Sequence, residues 1–166
     1  GVFLTAGCAS PAPHKEIRLD DVEAAAPNET PTGSLLRVGV ASVISPKSTA
    51  TSYSELVKYL GRRMGRPAEM VQRGTYGDTN DLVRRGLVDL ALVCSGAYVE
   101  GRREFGMELL AAPQVDGEAV YYSYIIVQKQ SSVQALVHLR GKVFAFVDPL
   151  SNTGYFSLLF ALDLMG

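Results

Sequence analysis

"LVDLALVC", residues 87–94, is the stretch on which the fold turns. It is apolar at nearly every position and shows no alternating polar face. That is the pattern of a central parallel strand covered on both sides. Working backwards, "TYGDTNDLVRRG" (75–86) is expected to be a helix, with Leu82 and Val83 inward and Gly86 at its C-terminal cap. "AEMVQR" (68–73) has strand character. Before it, Tyr53, Leu56, Val57, Leu60 and Met64 fall on one face of a helix that Gly65 and Pro67 stop. Ser52 and Glu55 have capping-box spacing at its head, and "SPKSTAT" before them is expected to be a polar turn. "LLRVGVASV" (35–43) opens the series as the first strand. Strand, helix, strand, helix, strand defines an α/β fold with right-handed crossovers.

Downstream, "MELLAAPQVDG" (107–117), "AVYYSYIIVQK" (119–129) and "KVFAFVD" (142–148) have strand composition. "SVQALVHLRG" (132–141) and "YFSLLFALDLMG" (155–166) have helical spacing. The expected architecture is a parallel-rich mixed sheet with flanking helices.

The 166 residues carry a net charge of −1, with 47% hydrophobic and 20% charged positions. That balance fits a folded domain and gives no footprint for nucleic acid. Arginines do cluster, at 62, 63 and 66 and at 84 and 85, where helical spacing makes them a solvated face. Both ends suggest a piece of a longer chain: the sequence starts on Gly1 without methionine and stops just as an apolar helix begins to pack. Two cysteines, Cys8 and Cys94, differ too much in setting to suggest a disulfide, and His14 and His138 are too scattered for a metal site. No metal or other cofactor is expected.

Residues 1–8, "GVFLTAGC", have the character of a signal-peptide tail ending in small residues before Cys8. Leu-Thr-Ala-Gly-Cys resembles a bacterial lipobox, which implies a lipidated Cys8 and a membrane anchor. Residues 9–34 hold four of the eight prolines and almost no large apolar side chains, so they are expected to form a flexible linker.

Three loops leave the carboxyl ends of strands, where open α/β sheets bind ligands: 41–52, 94–98 and 148–155. All are rich in Ser, Thr, Gly or Asn, and only Lys47 among them is basic. In "DPLSNTGY", the hydroxyls of Ser151 and Thr153 and the amides near Gly154 stand at a helix start, where unsatisfied N–H groups and the dipole favour an anion. A tetrahedral oxyanion suits such a cluster. The competing reading is that Ser151 and Thr153 only cap the helix and Pro149 makes a turn. Asp148, before that proline, has the stronger case for structural duty, and Cys94 for a buried small residue. Paired carboxylates and a nucleophile with an evident base are both missing, so no enzyme activity is expected.

The run from Tyr53 to Gly101, then "AAPQVDG", "YYSYIIVQK" and "GKVFAFVDPLSNTGY", resembles the phosphate/phosphite/phosphonate-binding proteins of bacterial ABC importers. "DPLSNTG" fits that family's Asp-Pro-x-Ser-(Thr/Asn)-(Ser/Thr)-Gly element. The resemblance covers residues 35–166 and implies a type II periplasmic binding protein fold, with ligand clamped between two lobes. Residues 35–120 would be the first lobe, 121–130 a hinge crossing and 131–166 the start of the second lobe. Carried over residue by residue, it implies that Ser151, Asn152, Thr153 and Gly154 grip the anion. Tyr76 would face it, Ser95 and Gly96 would form the first-lobe loop, and Ser45 or Ser48 would come from the first loop; Tyr122 would serve as hinge packing or contact. "CSG" (94–96) stands where some phosphonate binders carry an aromatic residue.

The resemblance implies a solute-binding lipoprotein that captures phosphonate, phosphite or phosphate in the periplasm or on the outer face of the cell membrane and delivers it to permease subunits. Two other readings keep the fold: a ligand-sensing periplasmic domain of a signalling system, and a binder of a sulfonate-like anion.

Overall fold

The computed structural model describes residues 33–41, 45–114 and 117–164. Its elements are β1 (Leu36–Ala41), α1 (Pro46–Arg63), β2 (Ala68–Arg73), α2 (Tyr76–Arg84), β3 (Leu90–Leu92) and α3 (Ser95–Phe105). A 3-10 turn at Leu136–Leu139 follows, and then a π-type turn, Asn152–Phe156, runs directly into α4 (Ser157–Asp163). Leader residues 1–8 with Cys8, and the linker up to residue 32, lie outside the described residues. The last two linker residues are held: Gly33 N–H donates to the Gly65 carbonyl at 3.2 Å, and Ser34 carbonyl accepts from Arg66 Nε at 2.7 Å. Among the described residues no helix is long and apolar enough to cross a membrane.

The three strands are parallel in the order β2-β1-β3. Leu36, Val38 and Val40 of β1 point to one face and are fully buried against Val57 of α1, with Tyr53 and Leu60 beside it. Burying each such side chain contributes about 1.5–3 kcal/mol, so this face fastens α1 to the sheet. The period of two sends Gly39 and Ala41 to the opposite face. There Ala41 packs with Tyr76, the first residue of α2, and Ala97 of α3. At the outer end Arg37 sits level with Glu69 of β2 and bonds it at 3.0 Å.

β1 is therefore the central strand, and β3 is a three-residue strand at the edge of the described sheet, contrary to the expectation for 87–94. The reason lies in Asp89. Its carboxylate takes the Arg37 N–H at 2.8 Å, where a ladder would put a backbone carbonyl, so regular pairing starts only at Leu90. Past Leu92 the chain already turns into α3.

α1 begins six residues ahead of Ser52. Ser45 is its N-cap, accepting the Ser48 N–H at 3.2 Å, and Pro46 occupies the first turn, where a missing N–H costs nothing. Ser52 is an exposed residue of the second turn, and Glu55 pairs with Lys58 instead of capping. "SPKSTAT" is thus the helix start and not a turn. α2 keeps its expected bounds, with Thr75 accepting the Asp78 N–H at 3.0 Å and Gly86 beyond its end at φ +63°.

Residues 107–114, 117–130 and 142–148 form no strand ladder; one isolated bridge falls at Glu118. Their composition suits strands, but a strand needs a neighbour, and among the described residues none lies alongside. Tyr124 is 80% exposed and Ile126 88%. The expected helix at 132–141 shrinks to the single 3-10 turn. Phe144, Phe146, Tyr155 and Phe156 stack edge to face in series, with ring centroids 5.0, 5.1 and 5.6 Å apart, and fix the 142–148 segment to the turn that follows it.

Candidate functional site

β1 leads to β2 on one side of the sheet, and β2 crosses back to β3 on the other. The connections leaving β1 and β3 thus diverge, and the carboxyl ends of these two strands are where open α/β sheets bind ligands. Ala41, Val93, Cys94, Tyr76 and Ala97 line this place, and Leu150, more than fifty residues further on, packs among them.

Two contacts, from Tyr76 and Cys94, dock the 148–154 loop there, and a third braces it internally. One Asp148 carboxylate oxygen accepts the Tyr76 N–H at 2.9 Å, and the other accepts the Leu150 N–H at 2.8 Å. The Cys94 thiol donates to the Leu150 carbonyl at 3.2 Å. Gly96 is the contact point between α3 and the loop. A Cβ there would run into the Leu150 carbonyl oxygen and stand 3.1 Å from the Asn152 nitrogen. Two helix starts, at Ser95–Gly96 and at Asn152, consequently meet face to face.

No side chain caps α3. The first-turn N–H groups of any helix lack an intrahelical acceptor, so its opening amides are available to a guest. On the opposing side, the Ser151 hydroxyl accepts the Gly154 N–H at 3.0 Å, and the Ser151 carbonyl accepts from Tyr155 and Phe156. A hydroxyl that accepts one bond still has its own proton to donate. Ser151 is 6% exposed. The Gly154 amide is used internally, and a Cβ at Gly154 would strike the Val147 side chain. Asn152 and Thr153 are the first residues of the turn, with no carbonyl behind their amides.

Tyr76 is buried. Burial first, then the nearby Cys94, Asp148, Tyr121 and Tyr53, push its hydroxyl above the ordinary tyrosine value. Ser95 Oγ shares a 2.9 Å hydrogen bond with the Tyr121 hydroxyl. Ser45 makes only local bonds, to the amide and hydroxyl of Ser48. Tyr122 is exposed. The structure therefore brings Tyr76, Ser95, Gly96, Ser151, Asn152, Thr153 and Gly154 into one region, and Ser45 serves as a helix cap. Reasoning from sequence missed Tyr121 and Ser123, whose i, i+2 spacing in an extended run was the available signal.

An α/β platform of this kind is found in periplasmic binding proteins. It matches, with a TM-score of 0.66 and 20% sequence identity, the crystal structure of a binding protein component of an ABC phosphonate transporter from Pseudomonas aeruginosa, over 73% of this chain and 42% of that one. Residues 38–166 match the family described as ABC transporter, phosphonate, periplasmic substrate-binding protein, and the chain belongs to that family. It is also 33% identical over 108 residues to the phosphate-import protein PhnD of Mycolicibacterium smegmatis, spanning 63% of this chain and 34% of that protein. The chain thus spans about a third of the curated relative and less than half of the solved one. The family is one of transporter binding proteins, not of enzymes.

Proposed function

We propose that this chain supplies the first lobe, and the anion-gripping loop of the second, of a solute-binding protein that captures phosphonate, phosphite or phosphate for an ABC importer. The observation that carries this reading is the meeting of two helix starts at Gly96 and Asn152, neither with an acidic side chain in its first turn. An oxyanion seated there takes the opening amides of both helices, the hydroxyls of Ser95, Ser151 and Thr153, and the field of two dipoles. Tyr76 forms the floor. Because dipoles and not a strong ion pair hold the guest, the site can both select and release, as delivery to a permease requires.

In this reading residues 35–120 are the first lobe, 121–130 the hinge crossing and 131–166 the start of the second lobe. The hinge segment and residues 142–148, which have strand composition but no ladder, become strands when the remainder of the second lobe lies beside them. The protein works outside the cytoplasmic membrane, held by a lipid on Cys8, with residues 9–34 as tether. The first test is calorimetry on the full-length protein with methylphosphonate, phosphite and phosphate, and sulfate and a sulfonate as controls. Binding of at least one phosphorus oxyanion at micromolar or lower concentration is expected. No heat from any of the three phosphorus anions overturns the proposal.

A further inference from the structure

Residues 120–128 form no helix and no strand ladder. Within them, Tyr121 and Ser123 each reach a different one of the two helix starts. The Tyr121 hydroxyl meets Ser95 Oγ at 2.9 Å, at the start of α3. The Ser123 hydroxyl donates to the Thr153 carbonyl at 2.6 Å, in the turn that opens α4. The two contacts span 26 and 30 residues of chain, so local geometry does not impose them. Tyr121 is 57% exposed, so burial of its ring is a small part of what places it, and its hydroxyl is fixed at the start of α3.

We infer that Tyr121 and Ser123 are positioning residues of the oxyanion site, a two-pronged tie that holds the α3 loop and the 151–154 turn in register. This rests on the function proposed above. Without the tie, the Ser95 hydroxyl turns freely between rotamers, and the 151–154 turn keeps only the contacts of its own loop, the Tyr76 bond to Asp148 and the Cys94 bond to Leu150. With it, Ser95 has its Oγ fixed by one bond and its second hydrogen-bonding direction aimed at the guest. The same segment runs into the proposed hinge crossing. Occupancy of Ser95 is thereby linked to the position of that crossing by a single hydrogen bond.

The experiment compares the full-length wild type with Tyr121→Phe, Ser123→Ala and the double variant, using calorimetry and stopped-flow binding of methylphosphonate, phosphite and phosphate. Both substitutions keep the shape of largely exposed side chains, and thermal unfolding without ligand checks that each variant folds like the wild type. Each single variant is expected to weaken binding about 3- to 10-fold, mostly through faster dissociation. In a Ser95→Ala background, Tyr121→Phe is expected to have no further effect, because its partner is gone. Unchanged or tighter binding in Tyr121→Phe, or a full effect that persists without the Ser95 hydroxyl, overturns the inference while leaving the oxyanion function standing. A wild type that binds none of the three anions overturns both.

Discussion

Asp148 and Tyr76 are 72 residues apart in sequence, yet one carboxylate oxygen of Asp148 accepts the Tyr76 backbone N–H at 2.9 Å. The bond places a negative charge at the first turn of α2, where the helix dipole favours it. It also decides where the 148–154 loop sits. Removing it should be felt both in stability and in the loop.

Asp148→Ala leaves the Tyr76 and Leu150 amides without their acceptor, and both are partly buried. A loss of about 1.5–3 kcal/mol is expected in urea denaturation, the range for a hydrogen bond to a charged group. Asp148→Asn keeps one accepting oxygen and should lose less. Amide hydrogen exchange at Tyr76 and Leu150 should quicken in both variants. An alanine variant as stable as the wild type would show that the carboxylate does not fasten the loop.

Gly96→Ala should lower stability by about 1–3 kcal/mol, because the added methyl meets backbone that cannot swing aside. Gly154→Ala also collides, with both Cγ2 and Cβ of Val147, and rotation of that side chain cannot move its Cβ. Both variants are expected to melt below the wild type. A Gly96→Ala variant as stable as the wild type would contradict the close approach of the two helix starts.

Tyr76 gives the protein an alkaline limit. Its hydroxyl is held above the ordinary 10.0, first by burial and then by Cys94, Asp148, Tyr121 and Tyr53. The unfolded chain therefore releases this proton first. The stabilisation is complete below the unfolded value and is lost as pH rises from it through the higher folded value. Stability measured between about pH 9 and pH 11 should fall less steeply in Tyr76→Phe than in wild type. Parallel curves would mean that the hydroxyl titrates as freely as in the unfolded chain.

Much of the platform was legible because its signals are local. "AEMVQR" is a strand at the bounds its residues suggest, and Thr75 and Gly86 bracket α2 as capping chemistry requires. The start of α1 was misplaced because Ser52-x-x-Glu55 and Ser45-Pro46 are both start signals, and the apolar spacing seemed to begin at Tyr53. The second signal wins because residues 47–51 hold no glycine or proline to stop the helix, which runs back until Ser45 caps it with Pro46 in the first turn. Residues 87–94 show the limit of pattern alone: apolarity announced a strand, but the side chain of Asp89 cut the pairing short. The same holds for 119–129, where propensity is visible in the sequence and the partner is not. Of the candidate site, loop composition pointed to residues 151–154, and family likeness added Tyr76, Ser95, Gly96 and Ser45. Ser45 is the helix cap of α1, a duty that a serine before a proline announces in the sequence.

The order of the sheet also bears on how the chain folds. Of the three strands the central one comes first in sequence, and both its neighbours follow within residues 68–92. The platform can thus close before the 148–154 loop docks on it. During refolding, residues 36–105 should gain protection from protease before residues 148–154 do.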